Sequence, residues 1–263
     1  MKYIFLDVDG TIIDHSHACI PESTQRCLEE LKKKNELFIC SGRAYMNAKL
    51  DNGIEYDGYI CSLGSDVYYK GKNIINRPFT EQEMQRIIEI SEKYDIELTY
   101  ETRRHGFSAP LLYDRVYNSV NLFQGEYKYW IKKEEYKGEK VYKMMCETTI
   151  KNIDNFYHFK RELFEDFEFC NSPIMTTASC EASPRGFSKG SAIEMMASLG
   201  YIKMEDTIAI GDSMNDVMML EKANIGIAMG QASEEVKRYA DLVTDSVDRD
   251  GFYKAFKKLG LIK

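Results

Sequence analysis

The chain has 263 residues, 44% of them hydrophobic and 12% aromatic, which supplies apolar material for packed cores and excludes a disordered chain. Single cores stop growing near this length, so two domains are expected. A formal net charge of −7 and a pI near 5.3 would repel a nucleic-acid backbone, so nucleic acid is excluded as the main partner and an anionic substrate must meet a local positive site.

The chain opens on a short apolar run, Tyr3-Ile4-Phe5-Leu6, that stops at Asp7. The run is too short and too quickly acidic for a secretory signal, and no apolar stretch reaches membrane-spanning length; a cytoplasmic protein without a membrane partner is expected. The same layout returns twice, in Leu37 to Cys40 ending at Ser41 and in Thr207 to Ile210 ending at Gly211-Asp212. Each run reads as a buried parallel strand, and Tyr59 to Cys61, Ile225 to Met229 and Leu242 to Thr244 are further strand candidates. Helical patterns alternate with them: Glu22 to Lys34 behind Pro21, Lys189 to Leu199, Asn215 to Glu221, and Phe252, Ala255, Phe256 and Leu259 along one helical stripe. This alternation predicts a doubly wound α/β core. In such a sheet ligands bind beyond the carboxyl ends of the strands, where Asp7, Ser41 and Asp212 all fall.

The middle of the chain is patterned differently. Thr80 and Glu83 form a capping box ahead of a helix carrying Met84, Ile87, Ile88 and Tyr94. Strand-like stretches follow at Glu97 to Thr102, Val141 to Cys146, Phe167 to Cys170 and Ile174 to Thr177, with a helical pattern from Ile153 to Leu163 among them. This α+β patterning predicts an inserted second domain at 81–183, with the core made from 1–80 and 184–263. The stretch from Tyr113 to Lys140 is dense in Tyr, Lys and Glu and reads as solvated surface. Seven cysteines, Cys19, Cys27, Cys40, Cys61, Cys146, Cys170 and Cys180, have neither CxxC spacing nor a histidine at zinc-finger spacing and read as reduced side chains.

Four pieces carry chemistry. Asp7-Val8-Asp9-Gly10-Thr11 sets two carboxylates two residues apart after a strand, with Gly10 free to make a tight turn. Gly211-Asp212-Ser213-Met214-Asn215-Asp216 offers further oxygen ligands at the end of another strand, and oxygen donors without nearby His or Cys favour Mg²⁺ over zinc. Ser41-Gly42-Arg43 presents a hydroxyl and backbone amides at a helix start, and Lys189 opens the helix after Gly186-Phe187-Ser188; both suit phosphate. Taken singly, each piece has a plainer reading as a helix cap or a solvated side chain, but no such reading accounts for the four together.

In this order the four pieces resemble the haloacid dehalogenase superfamily of phosphatases along the full core. The large insertion between Ser41 and Lys189, with Ile227-Ala228-Met229-Gly230, Asp241 to Thr244 and Asp250-Gly251, is similar to the Cof-type subfamily with a type IIB cap. The resemblance implies a Rossmann-like core with an inserted α+β cap and a Mg²⁺-dependent phosphatase acting on a small phosphorylated metabolite: a sugar phosphate first, then a nucleotide or a cofactor phosphate. It implies Asp7 as nucleophile, Asp9 as general acid and base, Lys189 as electrostatic clamp, and Thr11, Ser41, Gly42 and Arg43 with Lys189 as phosphate ligands. Mg²⁺ would be held by the Asp7 carboxylate, the Asp9 backbone carbonyl and the Asp212 carboxylate, with Asn215 and Asp216 supporting the metal shell or Lys189. Substrate choice would fall to cap residues, among which Arg103, Arg104, His105 and Lys132 are candidates. Leu63-Gly64-Ser65 departs from the subfamily's usual Asn-Gly-Ala and removes a polar contact near the site.

Elementary electrostatics agrees with these roles. Two unit charges about 4 Å apart repel by roughly 4 kcal/mol at an effective dielectric of about 20, so attack by an anionic Asp7 on an anionic phosphate needs Mg²⁺ and Lys189 to cancel the charge. Asp9 also argues against a dehalogenase, which in this superfamily lacks an acid two residues after the nucleophile. Two alternatives stand beside this reading: a phosphomutase of the phosphomannomutase type, which would keep the phosphate on the sugar, and a non-catalytic module that binds a phosphorylated ligand, which would be expected to have lost Asp7 or Asp9.

Overall fold

The structure is a computed structural model that describes residues 1–14, 19–108, 130–171 and 178–263. The expected strand Ile174 to Thr177, and residues 113–129 of the Tyr-, Lys- and Glu-rich stretch, lie outside the described residues. Numbered along the chain, the strands are β1 (Tyr3–Leu6), β2 (Glu36–Cys40), β3 (Gly58–Cys61), β4 (Asp66–Tyr69), β5 (Lys72–Asn76), β6 (Glu97–Glu101), β7 (Gly106–Ser108), β8 (Trp130–Lys132), β9 (Lys143–Glu147), β10 (Phe167–Asn171), β11 (Ser179–Pro184), β12 (Thr207–Gly211), β13 (Ile225–Ala228) and β14 (Leu242–Val243). The chain divides into two compact units.

The first unit takes Met1–Arg43, Ala48–Ile75 and Ser188–Lys263. Its sheet runs in the order β14-β13-β12-β1-β2-β3-β4-β5, parallel from β14 through β3, with β4 antiparallel to β3. The apolar runs are strands because both faces are covered: Ile4, Phe5 and Leu6 are fully buried, and Phe5 stacks on Phe38 at 4.8 Å between ring centroids. Helices Glu22–Lys32 and Gly251–Lys258 pack on each other, as do Lys189–Ser198 and Val217–Lys222. The helix expected at Asn215 to Glu221 begins instead as a 3₁₀ turn over Met214–Asp216, because Asp216 caps that turn with its own side chain.

The register fixes where the loops emerge. Leu6 pairs with Ile210 on one side and Ile39 on the other, so Asp7, Gly211-Asp212 and Ser41 leave the sheet at one edge. From β1 the chain proceeds outward to β2 and β3, whereas β12 and β13 lie on the opposite side of β1. The strand order therefore reverses beside β1, and that switch point is where an open parallel sheet leaves a crevice for a ligand.

The second unit takes Ala44–Asn47 and Asn76–Phe187. It begins five residues before the expected Glu81, because Phe79 is already packed against Phe167 at 5.6 Å between ring centroids, and the Tyr142 hydroxyl donates to Asn76 Oδ1 at 2.9 Å. It ends four residues after Ser183, whose hydroxyl donates to the Phe187 carbonyl at 2.8 Å. Its sheet runs β10-β11-β9-β6-β7-β8, antiparallel except for β7 with β8. One face carries Leu98, Tyr100, Met144, Cys146, Cys180 and Ala182 into a core with Ile87 and Ile90 of helix Glu81–Tyr94 and Phe156 and Phe159 of helix Ile153–Glu162. The alternate residues Thr99, Glu101, Lys143 and Glu181 are buried too, with the Lys143 ammonium against Glu101 at 2.9 Å and in contact with Glu181. Of the cap candidates, Arg103 lies with its guanidinium 4.8 Å from the Tyr142 ring centroid, while Lys132 closes β8.

All seven cysteines are free thiols. No helix among the described residues is long and apolar enough to cross a membrane. The capping box forms as the spacing requires, with the Glu83 amide donating to Thr80 Oγ1 at 3.2 Å and the Thr80 amide to Glu83 Oε2 at 2.8 Å. Thr80→Ala should lower the stability of the second unit by about 1 kcal/mol in urea unfolding, and an unchanged midpoint would show the cap to be idle.

Candidate active site

The site is built from the loops that follow β1, β2 and β12, together with the start of helix Lys189–Ser198. Asp7 continues β1, its amide donating to the Ile210 carbonyl at 3.0 Å, and the residue is 4% exposed. Lys189 is 1% exposed and spends all three ammonium protons on named acceptors: Asp7 Oδ1 at 2.7 Å, Asp216 Oδ1 at 2.6 Å and Asn215 Oδ1 at 3.1 Å. Ser188 holds that lysine in place by capping its helix, with the Ser191 amide donating to Ser188 Oγ at 3.1 Å.

Asp216 is fully buried and has both oxygens occupied. While Oδ1 faces Lys189, Oδ2 accepts from the Asp212 and Ser213 amides at 3.0 and 2.9 Å. Asp212 and Asp7 differ from it in one respect: Asp7 Oδ2 and Asp212 Oδ1 are buried and have no hydrogen-bond partner. One carboxylate oxygen from each of Asp7, Asp212 and Asp216 lies within 4.8 Å of the others. Three carboxylates thus face a single ammonium, and the titration behaviour reflects the imbalance. Burial and the neighbouring Asp216 push the Asp7 carboxyl well above the usual carboxylate range despite the opposing pull of Lys189. Burial and Asp216 push Asp212 up to about 7. Burial works against the Lys189 charge, but Asp216 and Asp7 outweigh it and hold the ammonium's pKa above its ordinary value.

Gly10 makes this crowding possible. It sits at φ +86°, where side chains are disfavoured, and a Cβ there would fall 2.2 Å from Asp212 Oδ2. Thr11, next in the loop, is fully buried with a hydroxyl that has no partner. Ser41 is 2% exposed, and its hydroxyl accepts from the Arg43 amide at 3.2 Å, which curls Ser41-Gly42-Arg43 into a tight turn. The Arg43 guanidinium grips Asp9 with two bonds, Nε to Oδ2 at 2.8 Å and Nη2 to Oδ1 at 2.6 Å. The Asp9 carboxylate is not part of the acidic group formed by Asp7, Asp212 and Asp216. The turn carrying Leu63 is left-handed at Ser62, φ 48°, and Leu63, φ 57°, so a leucine occupies a backbone conformation that asparagine tolerates better.

The structure thus brings Asp7, Lys189, Asp212, Asn215 and Asp216 into one cluster and joins Asp9 to Arg43. The reading from the sequence missed two features. One is the Arg43–Asp9 pair, which depends on side-chain direction across two loops. The other is Gln231, whose amide donates to the Gly10 carbonyl and to Asp212 Oδ2 at 3.4 Å. Its place just beyond the carboxyl end of β13 was the available signal.

The haloacid dehalogenase-like hydrolase family matches residues 4–256. The chain belongs to that family. It is 25% identical over 260 residues to the 5-amino-6-(5-phospho-D-ribitylamino)uracil phosphatase YcsE of Bacillus subtilis, covering 98% of this chain and 95% of that protein. It is 26% identical over 297 residues to phosphatase YwpJ of the same organism, covering 98% and 100% of the two chains. Among solved structures, the HAD subclass IIB sugar phosphatase BT4131 superposes with a TM-score of 0.81 at 27% identity, covering 100% of both chains.

The donor set fits a hard cation: Asp7 and Asp212 each offer a buried carboxylate oxygen without a hydrogen-bond partner, and among the described residues the group that could hold a metal consists of carboxylates. A carboxyl whose folded pKa is raised stabilises the fold at low pH, and that contribution is lost as pH rises through the folded value, here from the usual 3.8 to about 7 for Asp212. A cation binds the deprotonated form and offsets the loss. Mg²⁺ should therefore raise the melting temperature, relative to EDTA, by more at about pH 8 than at about pH 5.5. Equal shifts at both would contradict a cation seated on these carboxylates.

Proposed function

We propose that this enzyme, a phosphoric monoester hydrolase of the haloacid dehalogenase superfamily, removes phosphate from a small phosphorylated metabolite through an aspartyl-phosphate on Asp7, with Mg²⁺ as cofactor. The observation that carries the reading is the buried Asp7 carboxylate, held at Oδ1 by Lys189 and left without a protein partner at Oδ2. A buried carboxylate oxygen without a hydrogen-bond partner calls for an explanation, and a bound ion or a catalytic role is one.

Asp7 and Asp212, with the Asp9 backbone carbonyl, would hold Mg²⁺, which supplies Lewis-acid stabilisation of charge on the phosphoryl oxygens. Asp216 is already committed to Lys189 and the loop amides, so it supports the lysine. Asp7 attacks phosphorus, the bond from phosphorus to the substrate oxygen breaks, and Asp9 gives that oxygen its proton. In the second half, Asp9 takes a proton from water, the water oxygen attacks phosphorus, and the bond to Asp7 breaks to release inorganic phosphate. Lys189 keeps Asp7 oriented and carries positive charge at the reacting group. The Thr11 and Ser41 hydroxyls and the Gly42 amide bind the phosphoryl oxygens. Arg43 waits on Asp9; an arriving phosphate takes over the guanidinium, which frees Asp9 to be protonated.

A phosphorylated sugar or sugar alcohol is the favoured substrate class, supported by the two relatives named for a ribitylamino compound and for sugar phosphates. Substrate choice is assigned to the second unit, as the type IIB resemblance implies.

Phosphate release from a panel of sugar phosphates should vanish in EDTA and return with Mg²⁺, and full activity after exhaustive chelation would contradict the cofactor. Asp7→Asn should show background turnover with every substrate. Asp9→Asn should lose about 10²- to 10⁴-fold with a sugar phosphate, whose alkoxide needs a proton, and far less with p-nitrophenyl phosphate in the step that expels the leaving group. Equal losses for the two variants with both substrates would contradict this division of roles.

A further inference from the structure

We infer that Gln231 is a positioning residue for Asp212, turning that carboxylate so that Oδ1 is presented to the cation; the inference rests on the Mg²⁺ reading of the site. One side chain here meets three loops. Its amide nitrogen donates to the Gly10 carbonyl beyond β1 and to Asp212 Oδ2 beyond β12 at 3.4 Å, and its Oε1 accepts from the Val247 amide, beyond β14, at 3.2 Å. Gln231 itself follows β13, so it links the carboxyl ends of the adjacent strands β14, β13, β12 and β1.

The backbone leaves this side chain little choice. On one side the Met229 amide donates to the Gly211 carbonyl at 2.9 Å, and on the other the Gly230 amide donates to the Asp245 carbonyl at 3.0 Å. The main chain ahead of Gln231 is thereby pinned to β12 and to the loop after β14. Only the side chain can reach the site, and its length spans the gap.

The consequence falls on one atom. Asp212 Oδ2 is wedged against Gly10, where a Cβ would lie 2.2 Å away, and receives the Gln231 amide. Oδ1 of the same carboxylate is buried without a partner. A carboxylate with one oxygen anchored and the other bare is a preset ligand, because its rotation about χ2 is arrested before the cation arrives. Glutamine suits this place because it donates without adding charge; a lysine would neutralise Asp212 and compete with the cation, and a glutamate would add another carboxylate.

The test uses the full chain and Mn²⁺ as probe, with free Mn²⁺ read by electron paramagnetic resonance. Gln231→Met keeps the length and removes all three hydrogen bonds at an exposed position. Ser233→Ala serves as control, since it removes a hydrogen bond to the Val236 amide in the same segment without facing Asp212. Gln231→Met should weaken Mn²⁺ binding roughly 10- to 100-fold, while Ser233→Ala lowers the melting temperature and leaves Mn²⁺ affinity unchanged. Wild-type affinity in Gln231→Met, or an equal loss in Ser233→Ala, would overturn the role of Gln231. Absence of saturable Mn²⁺ binding by the wild-type chain would remove the cation reading itself and this inference with it.

Discussion

The buried ammonium of Lys189 is the constraint on which the rest of the site depends. Taking a charge out of water is expensive, and the expense is met only if the partners are close and complete. Here they come from both ends of the chain: Asp7 lies 182 residues before Lys189, and Asp216 lies 27 after it. The ion pair therefore joins the loop after the first strand to the segment that follows the inserted unit. The same pairing leaves a surplus of negative charge, since one ammonium faces the carboxylates of Asp7, Asp212 and Asp216. The proposed cation would be drawn to that surplus, which follows from the way the lysine is buried.

Close approach of backbones makes the arrangement possible. Helix Lys189–Ser198 closes on helix Val217–Lys222, directly after the turn that carries Asp216, because residue 190 is glycine; a Cβ there would fall 2.3 Å from the Met218 carbonyl oxygen. Gly10 does the same for Asp212 on the other side of the site. The glycines of the motifs are clearances for neighbouring atoms as much as hinges for their own turns.

Much of this was legible in the sequence for a local reason. A parallel strand buried on both faces is a short apolar run, and Asp7, Ser41 and Asp212 each stop such a run, so their positions follow from strand ends alone. The capping box at Thr80 is equally local. What escaped the sequence depends on partners. β11 reads Ser-Cys-Glu-Ala-Ser-Pro, with only small apolar residues on its core face, and β4 and β5 follow a left-handed turn that no glycine or proline pair announces before Gly64. The Arg43–Asp9 pair and the three contacts of Gln231 arise between loops distant in sequence; the place of Gln231 beyond the end of β13 marks the residue but not its partners. The edges of the inserted unit moved outward because Phe79 and Phe187 are tied to it by packing and a hydrogen bond, not by periodicity.

The proposed mechanism requires a bond from the Asp7 carboxylate to phosphorus during turnover. The most direct measurement is acid quench of Asp9→Asn within milliseconds of mixing with p-nitrophenyl phosphate and Mg²⁺, followed by peptide mass spectrometry. Burst release of p-nitrophenolate together with one phosphoryl group on the peptide containing Asp7, lost on treatment with hydroxylamine, is the expected result. Rapid p-nitrophenolate release with no phosphoryl group on Asp7 at any quench time would contradict the account.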